Sequence, residues 1–276
     1  HRDLHSFPTR RSSDLISPDG SKIAILEDKS GIANISLIDA MDGKNIRKLV
    51  KGNRSMDFEE LKWLQPGISW SPDSKKIVIA AKAGVQDALY LIDAEKPRNK
   101  KKLTFDLDGI FSAAWSPNGQ QIAFVGNKAN ASDIYLYDLE NKTLINLTND
   151  IYSDSEPVWN PNGNSIAYVS SRNKSENNLT DPDLPVLKIT HFQTDIITLD
   201  ISNNSFQRIT DTDANENYPI WAKTDNVLFY TSDESGISNL YRHDMDNDKI
   251  EPLTNILTGL FQISLSDDDE VMVFAG

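Results

Sequence analysis

Short apolar runs of strand length, separated by polar turns, recur along this chain from one end to the other. In the clearest stretch, residues 111–115, 121–126, 133–138 and 144–148 are four such runs, rich in aromatic and β-branched side chains. Between them stand the turn Ser116-Pro117-Asn118-Gly119, the polar link 127–132 and the turn Glu140-Asn141-Lys142. A sustained 3.6-residue period is missing; residues 56–64 are the one stretch that reads as a short helix. The pattern predicts an all-β chain organised in units of four strands.

The units repeat. Trp70-Ser71-Pro72-Asp73, Trp115-Ser116-Pro117-Asn118-Gly119 and Trp159-Asn160-Pro161-Asn162-Gly163 are echoed by Ile16-Ser17-Pro18-Asp19-Gly20, Trp221-Ala222-Lys223 and Leu265-Ser266-Asp267. Anchored at residues 70, 115, 159, 221 and 265, the intervals are 45, 44, 62 and 44, so one unit carries an insertion, within 172–193. In each turn proline presets φ at the second position, Asp or Asn suits the next, and Gly supplies the left-handed residue that lets a hairpin continue. Third runs end in Asp (Asp39, Asp93, Asp138, Asp200, Asp244), and fourth runs in Thr (Thr104, Thr148, Thr210, Thr254). Four antiparallel strands at this period predict a β-propeller of four-stranded blades. About six blades are represented, the first lacking its innermost strand and the sixth its last two. Trp70, Trp115, Trp159 and Trp221 are expected at equivalent buried places between blades.

The Trp-Ser-Pro-Asp turn, the run Asp133-Ile134-Tyr135-Leu136-Tyr137-Asp138-Leu139 and the closing Leu-Thr resemble the WD-like propeller repeats of the bacterial TolB family. The resemblance covers residues 16–276. It implies a non-catalytic, protein-binding scaffold of the bacterial cell envelope, periplasmic or secreted, with a protein or peptide partner. Related propellers fused to bacterial peptidases imply the alternative, a substrate-gating domain whose catalytic domain lies outside this sequence. The Gly-His and Trp-Asp signature of eukaryotic WD repeats is missing, as is the α/β domain that accompanies the propeller in this family.

Charge narrows the partners. With 28 basic and 41 acidic residues the net charge is -13, which argues against a nucleic-acid partner. No run reaches the 18 or so apolar residues of a membrane span. The absence of cysteine excludes disulfides and thiolate metal sites. Residues 1–15 read as a translated sequencing adapter and are expected to be non-native and disordered. This leaves 16–276 as a propeller domain from a metagenomic fragment cut at both ends.

Catalytic motifs fail. The sequence holds no Gly-x-Ser-x-Gly elbow and no His-Glu-x-x-His, so it predicts no enzyme, cofactor or metal. Asp244, Asp246 and Asp248 imitate an EF-hand loop, but Lys249 and Asn255 stand where Gly and Glu are needed, and the segment reads as a hairpin turn. Outside the first fifteen residues only His191 and His243 occur, His243 at a strand end where a surface place is expected and His191 in the insertion. Because strands alternate in direction, the insertion and the links between blades share one rim. From that acidic rim we select Asp108, Asp154, Glu156, His191, Asp213 and Glu216 as partner-binding candidates.

Overall fold

The computed structural model describes residues 11–29, 32–51, 60–61, 68–84, 86–129, 131–172, 193–224 and 226–275. They form five blades of antiparallel strands, each in chain order. Blade 1 holds β1 (Arg11–Ile16), β2 (Lys22–Lys29), β3 (Ile32–Asp39) and β4 (Asn45–Lys51). In blade 2 the short β5 (Glu60–Leu61) and β6 (Ile68–Trp70) share the inner edge of β7 (Lys76–Ala83), followed by β8 (Gln86–Asp93) and β9 (Lys100–Thr104). Blade 3 comprises β10 (Gly109–Trp115), β11 (Gln121–Lys128), β12 (Ala131–Asp138) and β13 (Leu144–Asn146). Blade 4 comprises β14 (Asp154–Trp159), β15 (Ser165–Ser170), β16 (Asp195–Asp200) and β17 (Ser205–Arg208), and blade 5 β18 (Glu216–Trp221), β19 (Val227–Ser232), β20 (Asn239–Asp244) and β21 (Lys249–Pro252).

Three expectations are corrected. The sixth repeat forms only a two-stranded sheet, β22 (Phe261–Leu265) and β23 (Met272–Ala275), so the blades number five rather than about six. The first blade is not short of its inner strand: residues 11–15, expected to be disordered, pair with β2 as part of β1. Residues 1–10 lie outside the described residues. Most of 56–64 does too, but Glu60–Leu61 is a strand on β7 rather than helix.

Period-two alternation explains the packing. Ile77, Ile79 and Ala81 of β7 pack toward blade 1 with Ile35 and Leu37, while Val78 and Ala80 pack toward blade 3 with Ile122 and Phe124. Apolar clusters cover both faces of blades 1 to 4, which is why the middle strands read as almost continuous apolar runs. The two-stranded sheet closes the ring against β1 and β18. There the Ile16 N–H donates to Ser264 Oγ at 3.1 Å and the Asp267 N–H to the Pro18 carbonyl at 3.1 Å.

Turn chemistry follows the sequence. Ser17 Oγ donates to Asp19 Oδ1 at 2.6 Å, the Gly20 N–H donates to the Ser17 carbonyl, and Gly20 has φ +69°. The Asp that ends each third strand accepts the backbone N–H groups two and three residues on, as Asp138 does from Glu140 and Asn141, and builds the outer hairpin. Asp244 does the same, so the EF-hand-like segment is a hairpin turn. The closing Thr works inward: Thr148, Thr210 and Thr254 accept the N–H of Ile134, Ile196 and Leu240 at the start of the third strand.

Candidate functional site

Inner strands from all six sheets surround a central cavity of about 460 Å³. Its lining includes Trp70, Trp115, Trp159 and Trp221, and it reaches the face bearing the proline turns at Pro72 and Pro117. β14 and β18 enter it by the same device. Each carries an acidic residue five places before its tryptophan and a proline two before it, with the register broken between Ser155 and Val158 and between Asn217 and Ile220. Glu156 and Tyr218 sit in these breaks, both left-handed at φ +53°. Glu156 Oε2 accepts the Tyr218 N–H at 2.6 Å, tying blade 4 to blade 5. Burial in the channel wall pushes the Glu156 carboxyl up to about 7. Burial, and then the nearby Glu156 charge, push the Tyr218 phenol up to about 12.

The opposite face carries the links between blades. Asp108 is exposed there and accepts the Ala129 N–H at 2.9 Å, beside the Asp106–Lys128 ion pair at 2.9 Å. Asp213 is exposed on the link into β18. Asp154 and Glu216 do not share that exposure. Both are fully buried at the first position of an inner strand, where Ser170 Oγ donates to Asp154 at 2.6 Å and Ser232 Oγ to Glu216 at 3.0 Å. They lock inner strand to second strand instead of facing solvent, and Glu156 faces the channel rather than the rim. His191 lies outside the described residues. His243, expected at the surface, is buried, with Nε2 3.0 Å from Asp248 Oδ1.

At the root of the insertion lies a cluster that the sequence did not announce. Arg172, only 2% exposed, is paired with Asp150, stands 3.9 Å from Asp154 and lies against the rings of Phe206 and Tyr152, 5.1 and 5.5 Å from their centroids. Oxygens of Asp133, Asp150 and Asp154 come within 4.8 Å of one another, a spacing that would suit a metal ion. The guanidinium already supplies the positive charge at that place. Burial draws the Arg172 guanidinium down to about 10, and burial raises the Asp154 carboxyl to about 7 against the Ser170 hydrogen bond. No helix among the described residues is long and apolar enough to cross a membrane.

Residues 64–177 match the family model described as the TolB beta propeller domain. The Tol-Pal system protein TolB of Ruthia magnifica subsp. Calyptogena magnifica is 35% identical over 82 residues, 29% of this chain; the match spans only 19% of that relative's length. The putative TolB from Agrobacterium tumefaciens superposes over 98% of this chain and 92% of that one, with TM-score 0.73 at 19% identity. For TolB from Acinetobacter baumannii the shares are 92% and 57%, with TM-score 0.71 at 20% identity. Enzymes share the fold as well: the tricorn protease at 16% identity and an oligogalacturonate lyase at 11%.

Proposed function

Since the chain is a TolB-type β-propeller protein, we propose that it serves as a non-catalytic protein-binding scaffold in the bacterial cell envelope, periplasmic or secreted. The observation that carries this reading is the convergence on one face of the exposed blade links at Asp108 and Asp213 with the strand ends from which the insertion departs. Loops gathered on a rigid ring are where propellers meet partners. Acidic links favour a basic partner surface and a salt-sensitive association. By analogy with the name of the curated relative, the partner class is a protein of a Tol-Pal system.

A second reading of the same function places an extended partner segment in the channel, favoured by the cavity of about 460 Å³ and by the Glu156 carboxyl in its wall. Titration calorimetry of the purified chain against the Pal protein of a Tol-Pal system tests the proposal. Saturable binding that weakens as salt rises is expected. Absence of binding, together with turnover of a peptide or glycoside that a point mutation abolishes, would replace the scaffold with an enzyme.

A further inference from the structure

The charge of this chain is unevenly placed. Segments 44–51 and 96–102 hold nine of the 28 basic residues and no acidic one, whereas residues 105–276 hold 27 acidic residues and nine basic ones. The two segments lie on β4 and β9, the outer strands of adjacent blades, and on the residues just before them; the turns ahead of them carry Asp42, which pairs with Lys44 at 2.6 Å, and Glu95. Arg47 of β4 donates to the Glu95 carbonyl in the turn before β9, which links the two basic outer strands at that point. Arg47, Lys48, Lys51, Lys100, Lys101 and Lys102 are all exposed along these strands. Ahead of β4 Met41 is 88% exposed, and Ile46 on β4 is 40% exposed.

Lysine on an edge strand guards against edge-to-edge pairing, but the other outer strands do without this density. β13 has no charged residue, and β17 and β21 carry one basic residue each, Arg208 and Lys249. We propose that the outer edge of blades 1 and 2 is a docking surface for an anionic lipid bilayer, with headgroup phosphates against the Arg47 to Lys51 and Lys100 to Lys102 side chains and Met41 and Ile46 at the headgroup boundary. A cluster of this size on one surface suits anionic lipid, and apolar side chains beside it suit the interface. The negative net charge does not prevent docking. Blades 4 and 5 lie across the ring from this edge, and a Debye length of about 8 Å at physiological salt screens their carboxylates from the bilayer. The inference does not depend on what the rim or the channel binds.

Vesicle sedimentation of the full chain tests it, using phosphatidylglycerol mixed into phosphatidylcholine and phosphatidylcholine alone. Wild type is expected to sediment only with the anionic vesicles and to be released as salt rises. The triple variant Lys100→Gln, Lys101→Gln, Lys102→Gln and, separately, the double variant Lys48→Gln, Lys51→Gln should each lower partitioning about tenfold or more. Both should melt with wild type, since every altered side chain is exposed. Inorganic phosphate at matched ionic strength should leave binding unchanged. Equal sedimentation of wild type and both variants, or none with anionic vesicles at low salt, would overturn the proposal. Displacement by inorganic phosphate would make the edge a phosphate site, and capture of polyglutamate without vesicle binding would make it a surface for an acidic protein; either result overturns the lipid assignment.

Discussion

The indole Nε1 of Trp159 donates to the carbonyl of Ala114, 45 residues earlier and one blade back, at 3.1 Å. Trp70 makes the same bond to Leu15 at 3.1 Å, so at these two junctions the repeated tryptophan is a hydrogen-bonded strut as well as core. The other two differ. Trp115 donates to Gly119 in its own turn, and the link to blade 2 is made by its backbone N–H, which donates to Ser69 Oγ at 3.0 Å. Trp221 is buried with its Nε1 unpartnered.

That difference gives the first prediction. Replacing Trp70, Trp159 or Trp221 by Ala should cost about 3 to 5 kcal/mol each, because each indole is buried. Replacement by Phe should separate them. Trp70→Phe and Trp159→Phe lose a hydrogen bond worth about 1 kcal/mol beyond the change of shape, whereas Trp221→Phe removes a donor that had no partner. Urea denaturation of the three Phe variants is the measurement. Equal losses at positions 159 and 221 would count against the strut.

Arg172 yields a second prediction. Removing one member of a buried ion pair strands its partners, so Arg172→Ala should destabilise the fold by about 3 to 5 kcal/mol. Asp150 and Asp154 are the carboxylates left without their cation. Wild type should show no change in melting temperature with millimolar calcium or with chelator, because the guanidinium holds the place an ion would take. A calcium-dependent rise in wild-type melting temperature would show that the three carboxylates bind metal despite Arg172.

Glu156 makes stability depend on pH. Its carboxyl is raised from 4.5 to about 7 in the folded chain, so the folded state binds this proton more tightly than the unfolded one. The resulting stabilisation is complete below about 4.5 and is lost as pH rises through about 7, above which the fold carries a desolvated carboxylate. Glu156→Gln keeps an oxygen for the Tyr218 N–H and removes that charge. At pH 8 the variant should be more stable than wild type by roughly 1 to 3 kcal/mol, since one pKa unit corresponds to about 1.4 kcal/mol. The gap should close as pH falls below about 5. Thermal melts across this range decide it: a constant offset would mean that Glu156 titrates normally.

The repeat was legible because turn chemistry is local. Ser17 to Gly20 and the Asp at the end of each third strand act within a few residues of themselves, so their types disclose their geometry. The acidic residues were harder. Asp108 and Asp154 look alike in sequence, yet Asp108 stands on the link before β10 and is exposed, whereas Asp154 opens β14 opposite Ser170 and is fully buried. The shared spacing of Asp154 to Trp159 and Glu216 to Trp221, with Ser170 and Ser232 closing the second strands, is the signal that could have marked both as structural. Nothing local marks Arg172, whose burial is created by Asp150 and Phe206 from other parts of the chain. The basic outer edge was hidden for a different reason: a net charge averages over the molecule, and β4 and β9 become neighbours only in the folded ring.

The last prediction decides which face meets the partner. If the rim does, replacing residues 173–192 with a short Gly/Ser link, with Arg172 kept to hold its carboxylates, should weaken capture of the Pal protein. The pair Asp108→Asn and Asp213→Asn should weaken it separately and flatten its salt dependence, since screening acts on charges it can reach. Both sites lie on links rather than in blades, so melting temperatures should stay near wild type. Glu156→Gln reports on the channel: it leaves the rim intact, and a loss of affinity there alone would put the contact inside the ring. The control is Glu140→Gln with Lys142→Gln, exposed on the outer hairpin of the opposite face. Affinity unchanged by the first two variants and reduced by this one would show that the partner binds the turn face and that the acidic links serve only to keep the rim solvated.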